Sequence, residues 1–182
     1  MSKINEKNIE VVNIVVSTSF EKDIPLEKLA ATLSNTEYNP EQFPGLVIRN
    51  KEPKTSALIF SSGKVVCTGA RSMQTVDESI KKIIQSLKRA GIEITVKPKI
   101  EVQNIVASGN VGMDLNLNVL AIKLHNTEYE PEQFPGLVFK LNTTKATFLL
   151  FSNGKIVCTG CKTEDEVDEA LDKLIVNLKK VI

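Results

Sequence analysis

The feature that most constrains this chain is that it is written twice. Asn35–Arg71 reads NTEYNPEQFPGLVIRNKEPKTSALIFSSGKVVCTGAR and returns as Asn126–Lys162, NTEYEPEQFPGLVFKLNTTKATFLLFSNGKIVCTGCK, at an offset of 91 residues. Without a gap, 22 of the 37 aligned positions are identical. The offset holds elsewhere: Val11–Val15 matches Val102–Val106, Leu29-Ala30 matches Leu120-Ala121, and Val76-Asp77-Glu78 matches Val167-Asp168-Glu169. Solenoid repeats have periods of about 20–50 residues, so this is a duplicated half-domain. Residues 1–91 and 92–182 are its two halves, with the boundary near Gly91.

Each half has the same element pattern. Ile9–Ser17 is β-branched and alternating and predicts a strand. Leu26, Leu29, Ala30 and Leu33 have the spacing of a short amphipathic helix over Pro25–Leu33, with proline in its first turn. Pro40–Phe43 reads as a turn. Leu46–Asn50, Thr55–Phe60 and Lys64–Thr68 read as three strands, the last two joined by a tight hairpin at Ser62-Gly63. A longer helix follows, with Val76, Ile80, Ile83, Ile84 and Leu87 on one face, and its copy carries Val167, Leu171, Leu174, Ile175 and Leu178. Thr163 and Glu166 form a capping box at the start of that copy. Ile92–Val96 predicts a further strand leading into the second half.

Alternation assigns the strand residues to faces. In the first strand Val12, Ile14 and Val16 oppose Val11, Asn13, Val15 and Ser17. Ala57 and Ile59 oppose Ser56, Leu58 and Phe60, while Val65 and Cys67 oppose Val66 and Thr68. The helices supply enough apolar surface to cover one face. The other still carries Val15, Leu58, Phe60 and Val66, with their copies Val106, Leu149, Phe151 and Val157, and no segment is left to cover it. An uncovered apolar face marks a binding surface; a sandwich or a homodimer of the free protein would also bury it.

Charge sharpens the choice. Net charge is only +1, yet Gly45–Arg71 and Gly136–Lys162 each sum to +4, leaving −7 for the remainder. A matched pair of basic segments on an otherwise acidic chain is the footprint of a polyanion-facing surface. No apolar run reaches membrane-spanning length, and the polar start MSKINEKN is not a signal peptide, so no membrane partner is expected. Three cysteines, Cys67, Cys158 and Cys161, suggest reduced thiols inside a cell rather than a disulfide framework. Cys158-x-x-Cys161 has no second pair and the chain has one histidine, His125, so no zinc site, cofactor or catalytic constellation is expected. Cys158 reads as a core residue, Cys161 as open to exposure, and His125 as a capping or surface residue.

Several motifs in order resemble the TATA-binding protein core over essentially the whole chain. They are NIV (Asn13–Val15, Asn104–Val106), EYxPExFPGL (Glu37–Leu46, Glu128–Leu137), LIFSSGK and LLFSNGK (Leu58–Lys64, Leu149–Lys155), and CTGA or CTGC before the long helix. The resemblance implies an α+β pseudo-twofold saddle, a curved antiparallel sheet of about ten strands with helices on its convex face. The likeness of the two halves and the lack of a long N-terminal extension resemble the archaeal branch. The implied location is the cytoplasm, at the nucleoid, or the nucleus for a eukaryotic source.

Minor-groove binding with apolar wedges and kinking is established for TATA-binding proteins themselves, and the resemblance brings it here as an expectation. Phe43, Phe60, Phe134 and Phe151 match the phenylalanines that insert into base steps. Phe20, Phe139 and Phe148 lack phenylalanine partners in the other half and read as core. Asn13, Asn104, Thr68 and Thr159 match the central polar groups, whose donors suit the acceptors of an A·T minor groove. Val15, Val106, Val66, Val157, Leu58 and Leu149 match the apolar floor, which would leave a guanine amino group unpaired. Arg49, Lys64, Arg71, Lys140, Lys155 and Lys162 match positions that hold phosphates.

The implied partners are double-stranded TATA-box DNA, transcription factor B and, through it, RNA polymerase. Glu128, Glu130 and Glu132 face Glu37, Asn39 and Glu41 in the other copy, so the second turn is the more acidic. Glu130 and Glu132 are the candidate partner residues, against solvated turn carboxylates as the alternative. The other functional readings are a nucleic-acid-gripping module of a repair or RNase H-type enzyme, and a small-molecule carrier. The first needs a catalytic domain or acidic cluster, which the sequence lacks; basic rims and paired phenylalanines disfavour the second.

Overall fold

The computed structural model describes residues 8–182. In chain order the elements are β1 (Ile9–Ser19), α1 (Leu26–Thr32), β2 (Thr36–Glu37), β3 (Leu46–Asn50), β4 (Thr55–Ile59), β5 (Lys64–Ala70), α2 (Met73–Arg89), β6 (Glu101–Asn110), α3 (Leu117–Lys123), β7 (Thr127–Glu128), β8 (Leu137–Lys140), β9 (Thr147–Leu150), β10 (Lys155–Cys161) and α4 (Glu164–Val181). The strands form a ten-stranded antiparallel sheet in the order β2-β3-β4-β5-β1-β6-β10-β9-β8-β7. Two compact units are present, one of Asn13–Gln103, the other joining the chain up to Val12 to Asn104–Ile182. No helix among the described residues is long and apolar enough to cross a membrane.

Within Asn13–Gln103 the burial pattern follows strand parity. Ile14, Val16, Leu46, Ile48, Ala57, Ile59, Val65, Cys67 and Ala70 are buried beneath the apolar stripe of α2, where Val76, Ile80, Ile83 and Leu87 are also buried. In the other unit Ile105, Ala107, Leu137, Phe139, Phe148, Leu150, Ile156 and Cys158 meet Val167, Leu171, Leu174, Ile175 and Leu178 of α4. Phe20, Phe139 and Phe148 are core residues, as expected. In each unit the opposite face of the strands carries no helix, and its residues Val15, Leu58 and Val66, or Val106, Leu149 and Val157, are only half-buried.

Capping explains where the long helices start. Ser72 accepts from the Thr75 backbone N–H at 3.2 Å, and Thr163 accepts from that of Glu166 at 3.1 Å. The Glu166 carboxylate returns to the Lys162 N–H at 2.8 Å rather than to that of Thr163, so the reciprocal bond of the box lands one residue earlier. The hairpin at Ser62-Gly63 is present, with the Gly63 N–H donating to the Phe60 carbonyl at 2.9 Å.

One expectation needs correction. Ile92–Val96 is not a strand. Ile92 is buried and the segment alternates, but its ties are not those of a ladder: the Ile92 N–H donates back to the Leu87 carbonyl at the end of α2 at 2.8 Å, and Lys22 Nζ donates to the Glu93 carbonyl at 3.0 Å. Alternation reports a half-buried extended segment and does not by itself supply a strand to pair with. Conversely, β2 and β7 are edge strands of two residues each, too short to show any periodicity.

The two cores diverge at one linked set of positions. Beneath α2, buried Thr55 donates to Ser79 Oγ at 2.9 Å, and Asn50 Nδ2 reaches Thr55 Oγ1 at 3.1 Å and the Ser79 carbonyl at 3.3 Å. The same positions in the other unit are Leu141, Ala146 and Ala170, all buried. Where one unit has a satisfied polar trio the other has an apolar one at all three positions, a matched difference, since removing a single hydroxyl takes a hydrogen bond from a buried neighbour. Ser79→Ala alone should therefore lower the unfolding free energy by about 1–3 kcal/mol. The triple variant Asn50→Leu, Thr55→Ala, Ser79→Ala should cost less than the single one. Urea midpoints check this, and a triple variant less stable than Ser79→Ala would contradict it.

Candidate nucleic-acid interface

The uncovered face of each unit is built from cross-strand rungs. In Asn13–Gln103, one rung runs Glu37, Val47, Leu58, Val66 and Ser17 across β2, β3, β4, β5 and β1. The next runs Arg49, Ser56 and Thr68 and ends at the Asn13 side chain. In the other unit the rungs are Glu128, Val138, Leu149, Val157 and Ser108, then Lys140, Thr147 and Thr159, ending at Asn104. An apolar row thus lies beside a polar row that begins with a cation.

A β-bulge sets the end of the polar row. The β1–β5 register shifts between Ile14 and Val16, and the β10–β6 register between Cys158 and Cys161. Gly69 and Gly160 occupy these irregularities at φ +100° and +95°, left-handed backbone that disfavours any side chain. Each glycine N–H, freed from the ladder, donates to an asparagine oxygen: Gly69 to Asn13 Oδ1 at 2.7 Å and Gly160 to Asn104 Oδ1 at 2.8 Å. An N–H can meet only the amide oxygen, so the NH₂ group is fixed on the other side. There Asn13 Nδ2 donates to Thr68 Oγ1 at 3.1 Å and Asn104 Nδ2 to Thr159 Oγ1 at 2.9 Å. The acceptor of each amide is occupied by the neighbouring strand, β5 for Asn13 and β10 for Asn104, and Thr68 Oγ1 also lies 3.2 Å from Asn13 Oδ1 as a second donor. One N–H of each amide remains as a donor toward solvent.

Phenylalanines flank both faces. Phe43 and Phe60 pack with centroids 5.9 Å apart and planes tilted by 49°, and Phe134 and Phe151 at 5.9 Å and 64°. Phe43 and Phe134 are each 41% exposed, unusual for so large an apolar ring. Each sits at the end of a turn held by a backbone bond, Phe43 N–H to the Asn39 carbonyl at 2.9 Å and Phe134 N–H to the Glu130 carbonyl at 3.0 Å. A Cβ on Gly136 would stand 2.7 Å from Phe134 Cε2 and 3.0 Å from Phe151 Cε1, and one on Gly45 3.0 Å from Phe43 Cε2. The FPG sequence therefore leaves the space in which the two rings lean together.

The six expected basic positions, Arg49, Lys64, Arg71, Lys140, Lys155 and Lys162, are all exposed, as are Glu130 and Glu132. His125 is exposed too, as expected. Cys161 is not: it is 2% exposed, its Sγ 4.0 Å from that of Cys158. The reason is the bulge, which turns Cys161 onto the same helix-covered side as Cys158. Among the described residues no group of acidic, histidine and cysteine side chains could hold a metal.

This geometry now meets the comparisons with known proteins. A family model described as transcription factor TFIID, or TATA-binding protein, matches residues 8–90 and again 99–181. The chain belongs to the TATA-binding protein family. The TATA-box-binding protein of Methanocaldococcus jannaschii is 50% identical over 179 residues, 98% of each chain. That of Archaeoglobus fulgidus is 45% identical over 178 residues, 97% of each chain. A solved structure of Methanococcus jannaschii TBP matches with a TM-score of 0.88 at 49% identity, covering 96% of this chain and 99% of that one. Both family matches fall on the duplicated segments.

Burial pushes the Cys67 thiol up to about 11. It also raises Cys158, helped by the charge and hydrogen bond of Cys161, and raises Cys161 itself. At pH 7.5 the native protein should leave a thiol reagent unreacted on the minute scale, whereas the denatured chain should expose all three thiols. These groups stay protonated in the fold but ionise in the unfolded chain above about pH 8.5, so their linkage lowers stability as pH rises beyond that point. Rapid labelling of the native state would contradict this packing.

Proposed function

We propose that this protein is a transcription initiation factor that binds the minor groove of TATA-box DNA, kinks it with its phenylalanines and recruits transcription factor B and thereby RNA polymerase. The observation that carries the reading is the duplicated open face: in each unit an apolar row, a fixed pair of donors, two leaning rings and exposed cations. An A·T minor groove offers only the acceptors adenine N3 and thymine O2, which the Asn13–Thr68 and Asn104–Thr159 donors suit. Val15, Leu58 and Val66, with Val106, Leu149 and Val157, would leave a guanine amino group unpaired, at about 1–3 kcal/mol for each group buried.

Phe43 with Phe60, and Phe134 with Phe151, act as wedges. Inserting a ring costs a few kcal/mol of lost stacking per step, partly replaced by the ring itself. Pyrimidine–purine steps such as TA unstack most easily, so the wedges favour TATA-like sites without reading a base edge. Arg49, Lys64, Arg71, Lys140, Lys155 and Lys162 hold phosphates, and affinity then falls with salt by about 0.9 in log K per log salt for each contact. No catalysis enters this function. When DNA is absent, the same apolar rows are available to a second copy.

Glu130 and Glu132 are the surface for transcription factor B. Support comes from their exposure and from Asn39 standing where Glu130 has its copy, which makes the two turns unequal. The double variant Phe134→Ala, Phe151→Ala should lose bending of a TATA duplex in a fluorescence energy-transfer assay, with affinity falling at least about tenfold, equivalent to about 1.4 kcal/mol. Bending equal to the parent's would overturn the wedge assignment. Glu130→Arg should impair the complex with transcription factor B and leave DNA affinity within a factor of two or so of the parent's, judged by gel shift. Loss of both would refute the role given to that turn.

A further inference from the structure

The two halves repeat nearly every residue of the open face, but they do not treat their leading cation alike. Arg49 and Lys140 are equivalent positions at the start of the two polar rows, diagonal in the ladder to Glu37 and Glu128 on the edge strands. Arg49 turns back onto its neighbour: Nη1 and Nη2 lie 3.3 and 3.2 Å from Glu37 Oε2. Among the described residues, the ion pairs are this one and Lys173–Glu169. Lys140 therefore makes none with Glu128. A guanidinium can place two donors on one carboxylate oxygen across a diagonal of the sheet, whereas an ammonium is a single compact charge with a strongly held hydration shell.

A carboxylate oxygen held by the guanidinium end of Arg49 takes the place a phosphate oxygen would occupy. We infer that Glu37 is an internal competitor for the DNA backbone. It occupies Arg49 in the free protein, so the Asn13–Gln103 half must break an ion pair before it grips a phosphate, whereas Lys140 is free to bind at once. This inference rests on the reading of Arg49 and Lys140 as phosphate-binding residues. Its consequence is functional asymmetry on a nearly symmetric surface, since one half holds the backbone more readily than the other. Both partners are more than half exposed, 57% and 56%, so the pair is a weak brake rather than a lock.

A double-variant cycle on the full protein, read as affinity for a TATA duplex at fixed low salt, tests this. Glu37→Gln should raise affinity about two- to fivefold, the range an exposed pair supports. Glu128→Gln removes the same charge from the equivalent edge without breaking an ion pair and should gain distinctly less. In an Arg49→Ala background the gain from Glu37→Gln should shrink to that of Glu128→Gln. Arg49→Lys, which loses the two-donor end of the guanidinium, should gain affinity as Glu37→Gln does. Equal gains from Glu37→Gln and Glu128→Gln, or a gain that survives Arg49→Ala, would overturn the competitor role and leave general charge repulsion as the cause. Lys140→Ala separates the two levels: it should weaken binding and lower the salt slope by about 0.9. No change in either would refute the phosphate-binding reading itself.

Discussion

A β-sheet has two faces, and in each unit of this protein the helices cover one. Everything else about the surface follows from that imbalance. The longer strands carry apolar residues at adjacent positions, as in Ile14-Val15, Ala57-Leu58, Val65-Val66, Phe148-Leu149 and Ile156-Val157, so they place apolar side chains on both sides. On the covered side they complete a core with α2 or α4, while on the other Val15, Leu58 and Val66, or Val106, Leu149 and Val157, stay half-buried. Such a face gains from contact with a partner that removes its apolar surface from water.

The polar groups set into that face are constrained as tightly as the core. A free amide could present either its donor or its acceptor. Here the bulge glycine consumes the acceptor and Thr68 or Thr159 takes one donor, so each asparagine shows one chemical character outward. The rings obey similar logic, since Gly45 and Gly136 are small where any Cβ would press on them. Duplication preserved these features in both copies, yet let the core beneath α2 and α4 diverge from Asn50, Thr55 and Ser79 to Leu141, Ala146 and Ala170.

Strand parity made the division into covered and open faces legible from residues such as Ile14 against Val15 and Ala57 against Leu58, because the period of two is a property of the backbone. The proposed site positions come from the resemblance, and the repeat sets Phe43, Phe60, Phe134 and Phe151 apart from Phe20, Phe139 and Phe148, which are buried in the core. What could not be read depends on pairing rather than on pattern. Ile92–Val96 alternates but lacks ladder bonds, and the two-residue β2 and β7 pair without alternating enough to show it. The burial of Cys161 and the locking of Asn13 and Asn104 both depend on a register shift at a bulge, which the positive-φ glycines mark only once the strands are placed. The Arg49–Glu37 pair likewise joins residues brought together by β2.

The claim at the centre is that the open face selects A·T pairs by excluding the guanine amino group, without reading the major groove. Replacing A·T pairs of the site by inosine·cytosine separates these, because inosine lacks that amino group while keeping the major-groove edge of guanine. Affinities for three otherwise identical duplexes, A·T, I·C and G·C, decide it. The I·C duplex should bind within a few-fold of A·T, while G·C should be weaker by about 1–3 kcal/mol for each amino group buried. An I·C duplex that binds as weakly as G·C would contradict the exclusion of the amino group as the basis of selectivity.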